Sequence, residues 1–220
     1  MLPEASTATA ALTTGEVDFT TVPSGEAEPL RDDPGIEIHA FDTADFNLFG
    51  VNQDSERTEL FTDVRVRQAL MSALDRDLIA EEICLGFATR ADGTQPPLSI
   101  AYAPDSVATI YDYDPDRACH LLDEAGWVEG EDGIREKDGV PFRFECLYGA
   151  GIAIYEQQLP YMQQAWREVG LEMQPVSVPL QTLATPATTK CVSMASHGAS
   201  MESRAAWFAA MQCRPPASMR

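Results

Sequence analysis

Thiols and imidazoles are the side chains of this sequence best suited to act as nucleophile and base, and their placement argues against catalysis. Cys119 and His120 are adjacent, while His39 and His197 lie far away along the chain. Adjacent residues on a helix point about 100° apart, so Cys119 and His120 cannot meet as nucleophile and base. The sequence also contains no phosphate-binding glycine loop, H-E-x-x-H motif or G-x-S-x-G elbow. We therefore expect no catalytic residues and no enzymatic activity.

Carboxylates spaced two apart are typical of a cation site, and Asp112, Asp114 and Asp116 have this spacing. Pro115 interrupts the set, however, and neither the glycine nor the twelfth-position glutamate of a calcium loop follows. Asp114 followed by Pro115 is instead the pattern of a helix N-cap with proline at the first helical position. The five cysteines include no C-x-x-C pair, so they predict neither a zinc site nor a disulfide framework. We expect no metal site and no cofactor.

The elements that would position any site follow from the composition and the apolar periodicity. The chain has 220 residues, 45% of them hydrophobic, with 35 acidic and 15 basic side chains and a net charge of −20. This composition is typical of a globular protein, and the acidic balance argues against nucleic acid or an anionic membrane as partner. The longest apolar run, residues 205–211, is far shorter than the roughly 20 residues of a membrane-spanning helix. The N-terminal residues show no visible signal peptide.

Helical spacing predicts two consecutive helices between residues 63 and 86. Asp63 is the expected N-cap of the first, and Asp75 that of the second. The apolar faces are expected to be Val66, Ala69, Leu70, Ala73 and Leu74 in the first helix, and Leu78, Ile79 and Ile83 in the second, which Gly86 ends. Arg65 and Arg67 face different directions at a spacing of two, and we expect structural ion pairing there rather than a ligand carboxylate.

Further along, Asp114 and Pro115 begin a third helix that Gly126 ends. Extended segments at 133–135 and 140–148 flank an Asp-Gly turn and predict a hairpin. The second segment then leads through a helix, which either kinks or begins at Pro160, to a strand at 171–178. Such a β-α-β unit places its two strands parallel in one sheet, so we expect an α/β or α+β fold with a mixed sheet.

Five blocks of sequence together resemble a known family, and they occur in that family's order and spacing. They are TGEVD at 14–18, FTDVRVRQAL at 61–70, DRD at 75–77, YDPD at 113–116 and LLDEAGW at 121–127. The chain resembles the family 5 extracellular solute-binding proteins, which are the dipeptide and oligopeptide receptors of ABC importers. The resemblance covers about residues 10–179.

The resemblance implies part of a type II periplasmic-binding-protein fold, an α/β architecture comprising mainly the second lobe, with a mixed sheet and flanking helices. Residues 1–45 would be the end of the first lobe and the crossover, and residues 46–179 the second-lobe portion. Family members are about twice as long, so most of a first lobe would be missing. The implied function is capture of a peptide-like solute between two lobes, with ABC permease subunits as partners of the full-length parent in the periplasm or at the cell surface. No nucleic-acid partner and no catalysis are implied.

The expected ligand-facing loop is 149–155, because ligands of open α/β sheets bind outside the carboxyl ends of the strands. We predict Tyr148, Gly149, Ile154 and Tyr155 as ligand-binding residues. The alternative is that Tyr148 and Tyr155 only pack the junction between strand and helix.

Residues 180–220 differ in composition from the rest of the chain. Residues 1–179 hold 11 basic and 34 acidic side chains, a net charge of −23, whereas Lys190, Arg204, Arg214 and Arg220 oppose a single Glu202 in the tail, a net of +3. The tail does not resemble the family, and a shifted reading frame or truncation near residue 180 is one interpretation. Another is a basic amphipathic helix, with Met201, Ala205, Phe208 and Met211 at helical spacing, in a truncated, non-transporting interaction protein.

Overall fold

The computed structural model describes residues 5–22, 24–40, 46–56, 58–93, 95, 99–179 and 191–197, the last segment as backbone alone. The chain forms two compact units. The first comprises residues 1–43 and 76–90, and the second comprises residues 44–75 and 91–220. The gap at residues 198–220 includes the amphipathic segment of the tail, which therefore lies outside the described residues.

The described helices are α1 (Ala5–Thr13), α2 (Ser24–Ala27), α3 (Val64–Ser72), α4 (Arg76–Leu78), α5 (Pro115–Glu124) and α6 (Ala153–Glu168). The described strands are β1 (Phe46–Val51), β2 (Val128–Glu129), β3 (Arg135–Lys137), β4 (Val140–Pro141), β5 (Arg143–Gly149), β6 (Glu172–Val178) and β7 (Cys191–His197). Short 3₁₀ turns occur at Glu28–Leu30 and Pro104–Ser106. No helix in the described part of the chain combines the length and the apolar character needed to cross a bilayer.

In the first unit, the buried side chains described in α1 and α2 are alanines, namely Ala8, Ala11 and Ala27. Helix α4 continues into a π-helical turn at Ile79–Ile83. The buried side chains there are Ala80 and Cys84. Of the predicted apolar face, Ile79 and Ile83 are half-buried, whereas Leu78 is 37% exposed, so the prediction is wrong for Leu78. The π turn adds a residue to the helical period and rotates the following side chains, which an α-helical spacing cannot anticipate. Gly86 ends the turn as predicted, at φ +72°.

In the second unit, two carboxylates cap two helices that pack against each other. Asp63 accepts a hydrogen bond from the backbone N–H of Arg65 at 2.8 Å, and Asp114 accepts one from the backbone N–H of Arg117 at 2.8 Å. The caps predicted at Asp63 and Asp114 are confirmed, and the cap predicted at Asp75 stays a prediction. The backbone N–H of Asp114 also donates to the Ser72 carbonyl at 2.8 Å, which joins the start of α5 to the end of α3.

The predicted hairpin is present as β3 and β4, which pair antiparallel with Lys137 opposite Val140. Asp138 and Gly139 both have positive φ, at 53° and 76°, as a type I′ turn requires. The segment 140–148 is nevertheless two strands in two sheets rather than one strand. Phe142 lies between them, and its N–H donates to the Arg135 carbonyl at 2.7 Å while its carbonyl accepts from the N–H of Glu172 at 3.0 Å.

The predicted β-α-β unit is confirmed, because β5 and β6 pair in parallel, from Arg143 opposite Glu172 to Gly149 opposite Val178, with α6 between them. Helix α6 begins at Ala153 and runs through Pro160 rather than beginning there. The sheet has the order β1-β7-β5-β6, in which β7 is parallel to β5 and antiparallel to β1. The sheet is therefore mixed, as expected, and a strand from the tail lies inside it.

The core of the second unit contains a connected set of aromatic rings. Trp166 of α6 contacts Phe49 of β1 and Phe144 of β5, each with ring centroids 5.5 Å apart. Phe144 contacts Phe61, and Phe142 contacts Trp127. The Trp166 Nε1–H also donates to the Leu70 carbonyl at 3.0 Å. This buried bond fixes α6 against the end of α3, so that α6 and the loop before it have a defined position on the sheet.

Candidate functional site

The loop between β5 and α6 lies at the carboxyl ends of two parallel strands. Gly149 is level with Val178 in the strand register, and the Ala150 N–H donates to the Val178 carbonyl at 2.9 Å. This bond continues the ladder one residue beyond β5 and ties the loop to the end of β6. The arrangement is the edge at which open α/β sheets bind their ligands.

Two features let the chain turn sharply from strand to helix. Gly151 has φ +77°, and a Cβ built on it meets no atom within 4 Å among the described residues. Ile152 then occupies the N-cap position of α6, where its carbonyl accepts from the Tyr155 N–H at 3.0 Å. Ala150, Gly151 and Ala153 are exposed, so the loop presents backbone to the surface with little side chain over it.

The four predicted ligand-binding residues differ in accessibility. Tyr148 and Ile154 are half-buried and pack against the core while keeping accessible surface. Gly149 is buried within the strand. Tyr155 is 0% exposed and belongs to the core, in the position that the packing alternative describes. A ligand-binding role for the four residues stays a prediction.

The sequence prediction omitted the end of β6, which shares this edge. Ser177 and Pro179 are exposed, and Val178 is half-buried. The sequence contained a signal for this omission, namely the predicted end of the strand at residue 178. The carboxyl ends of parallel neighbouring strands lie on the same side of a sheet, so this end belongs to the same edge as the loop. Which residues stand level across the edge depends on the register, which only the pairing of β5 with β6 reveals.

The ion pairs of this strand pair lie away from the loop, at the amino ends of the same strands. Arg143 pairs with Asp132 at 2.6 Å and with Glu172, and Arg167 lies 3.8 Å from Glu172. Each of these side chains is about half exposed, so the pairs are surface ion pairs of small net energy.

The arginines of the predicted first helix have structural partners. Arg65 pairs with Asp63 at 2.6 Å, and this hydrogen-bonded guanidinium lowers the pKa of the Asp63 carboxyl. Arg67 donates to the carbonyls of Phe61 and Thr62 at 2.7 and 2.8 Å. The expected ion pairing is confirmed for Arg65.

Within the described residues, no group of three or more His, Cys, Asp or Glu side chains is arranged to hold a metal ion. Cys84 and Cys146 are buried and Cys119 is half-buried. Asp114 acts as a cap, as predicted from the Asp-Pro pattern.

Comparison with known proteins points to one family. The family model described as bacterial extracellular solute-binding proteins, family 5 middle, matches residues 1–212. The match continues past the change in composition near residue 180. Among curated relatives, the oligopeptide-binding protein AppA of Bacillus subtilis is 31% identical over 174 residues, which are 79% of this chain and 32% of AppA.

Two solved structures extend the comparison. AppA from Bacillus subtilis in complex with a nonapeptide has a TM-score of 0.78 and 28% identity, over 90% of this chain and 40% of the other. NikZ from Campylobacter jejuni in complex with Ni(L-His) has a TM-score of 0.75 and 26% identity, over 89% and 38%. The chain thus spans about a third of the length of AppA, and its neighbours of known structure are type II periplasmic binding proteins of which it covers only part.

Proposed function

The chain belongs to the family 5 bacterial extracellular solute-binding proteins, and on that premise we propose that it is part of the substrate-binding component of an ABC importer. The whole receptor captures a peptide-like solute between two lobes and delivers it to permease subunits. It acts in the periplasm or at the cell surface. The solute is released unchanged, so no catalytic group is needed.

One observation carries the choice of a peptide-like solute. The β5-α6-β6 unit places an exposed, backbone-rich loop at the carboxyl edge of the sheet, in a chain with 28% identity to a receptor that holds a nonapeptide. Exposed backbone suits an extended peptide, which binds through main-chain hydrogen bonds and leaves its side chains in wet pockets.

Within this proposal, residues 46–179 form the second-lobe portion, and residues 1–45 form the end of the first lobe and the crossover. Tyr148 and Ile154 are the accessible contacts, and Gly149, which is buried at the end of β5, positions the start of the loop. Tyr155 supports the loop from the core, since its ring is fully buried.

The proposal is tested by thermal unfolding of the full chain with mixed tripeptides. A ligand at 100 times its dissociation constant adds about 2.7 kcal/mol of stability. At about 2–4 °C per kcal/mol for a chain of this size, the midpoint rises by about 5–11 °C. Ile154→Ser should remove most of this rise. Val128→Ser is the matched control, because Val128 is a 58% exposed apolar residue on the separate sheet of β2 to β4.

A midpoint that no peptide mixture changes would refute peptide capture by this chain. An equal rise in wild type, Ile154→Ser and Val128→Ser would leave peptide binding intact but would refute the assignment of the site to the loop.

A further inference from the structure

The two ends of the β5-β6 pair differ in charge. At the amino end, Arg143, Asp132, Glu172 and Arg167 form the ion pairs described above. At the carboxyl end, the sequence contains no charged residue from 146 to 155 and none from 173 to 179. In a chain with a net charge of −20, these two segments of β5, α6 and β6 are uncharged.

The carboxyl edge is also partly apolar on both faces of the sheet. Its half-buried apolar side chains, which all keep some exposure, are Tyr148, Ile152, Ile154, Val176 and Val178. Val176 and Val178 pack against Leu147 on one face, and Tyr148, Ile152 and Ile154 pack against the main core on the other. Covering this apolar surface with a ligand is favourable. Because packing already fixes these side chains, the ligand costs them little further conformational entropy.

These segments contain no charged side chain that could pair with an ionised ligand group. Covering an ionised group without a partner costs several kcal/mol, whereas covering an apolar group is favourable. The ionisable residue that follows the loop is Glu156, exposed in the first turn of α6, and its carboxylate repels an anionic ligand.

From these observations we infer that the carboxyl edge of β5 and β6 selects uncharged, apolar side chains of a peptide over acidic side chains and over a metal chelate. This inference rests on the proposed function and specifies its ligand class. The open space at Gly151 leaves room for a ligand side chain beside Ile154. The two termini of a peptide must then be neutralised by groups outside this edge.

The inference is tested by isothermal titration of the full chain with three tripeptide sets, which carry Leu, Asp or Lys at each position in turn. The expected result is a dissociation constant for the Leu set at least about tenfold lower than for the Asp set, equivalent to about 1.4 kcal/mol. The complex Ni(L-His) serves as the chelate probe and is expected to bind more weakly than the Leu set.

Charge variants of the loop then test whether the selectivity arises at this edge. Ala150 is exposed, and Ala150→Lys should lower the dissociation constant of the Asp set by about tenfold relative to the Leu set, while Ala150→Glu should raise it. Val140→Lys and Val140→Glu are matched controls on β4, where Val140 is 55% exposed, and should leave the order of the sets unchanged.

The outcomes separate this inference from the proposed function. If wild-type chain binds none of the three sets, peptide capture itself fails. If it binds Asp peptides or Ni(L-His) as tightly as Leu peptides, peptide or solute binding stands and the inferred selectivity is wrong. If the Ala150 and Val140 variants respond alike, the selectivity does not arise at this edge.

Discussion

Replacing Arg135 with methionine removes a buried cation that joins three elements of the second unit. Its side chain is 9% exposed. The Nε–H donates to the Val169 carbonyl at 2.9 Å, and Nη1 donates to the Trp127 carbonyl at 2.6 Å and to an Asp123 carboxylate oxygen at 2.5 Å. The guanidinium therefore satisfies backbone carbonyls near the ends of α5 and α6 from a position on β3.

The expected cost comes mainly from the two carbonyls. Each buried acceptor left without a donor costs about 1–3 kcal/mol. The ion pair adds little, because the Asp123 side chain is 57% exposed and screened by solvent. We expect Arg135→Met to destabilise the protein by about 2–6 kcal/mol. Arg135→Lys keeps the charge but loses the planar fork, so it should recover only part of the loss.

The assay is urea unfolding, followed by tryptophan fluorescence, at neutral pH. Arg143→Met is the control, because Arg143 is also paired with carboxylates but is 52% exposed, and its loss should cost at most about 1 kcal/mol. If Arg135→Met costs no more than Arg143→Met, burial of the guanidinium does not determine its contribution, and the reasoning from unsatisfied carbonyls is wrong.

Three further predictions concern the caps, the core and the sheet. Asp63→Ala should lower the free energy of unfolding by about 1 kcal/mol above pH 5, because the helix loses its cap. Since the pKa of Asp63 is lowered in the folded state, the difference between wild type and variant should disappear as the pH falls below about 4. Urea unfolding that shows the same pH dependence for both proteins would contradict this prediction. Trp166→Phe should cost about 1–3 kcal/mol by calorimetry, since the Leu70 carbonyl loses its donor, whereas an unchanged midpoint would contradict it. A chain ending at Pro179 should lose amide protection in β1, unlike a chain ending at residue 198, because β7 is the partner of β1; equal hydrogen exchange would count against it.

Predictions that depended on neighbouring residues succeeded. Asp63 and Asp114 cap the helices that follow them, and the Asp138-Gly139 turn closes its hairpin. In each case the determining contact spans two or three residues, so the pattern of residue types contains the necessary information.

Predictions that depended on tertiary contacts were less complete. The π turn at Ile79–Ile83 changed which side chains are buried. The sequence analysis predicted no strand within residues 180–220, yet β7 pairs with β1 on one side and with β5 on the other. The paired strands β1 and β7 are more than a hundred residues apart in the sequence. Such pairing leaves no local pattern in the sequence, because either strand alone is an ordinary extended segment.

The sequence by itself determined the family blocks, the caps at Asp63 and Asp114 and the β-α-β unit, and therefore the edge of the sheet that we propose as the ligand-binding edge. Only the tertiary structure decided that Tyr155 is buried while Tyr148 and Ile154 remain accessible, and that Val178 stands level with Gly149. The order of elements is local and periodic, whereas accessibility and register result from packing among distant segments, here of α6 against α3 through Trp166 and of β5 against β6.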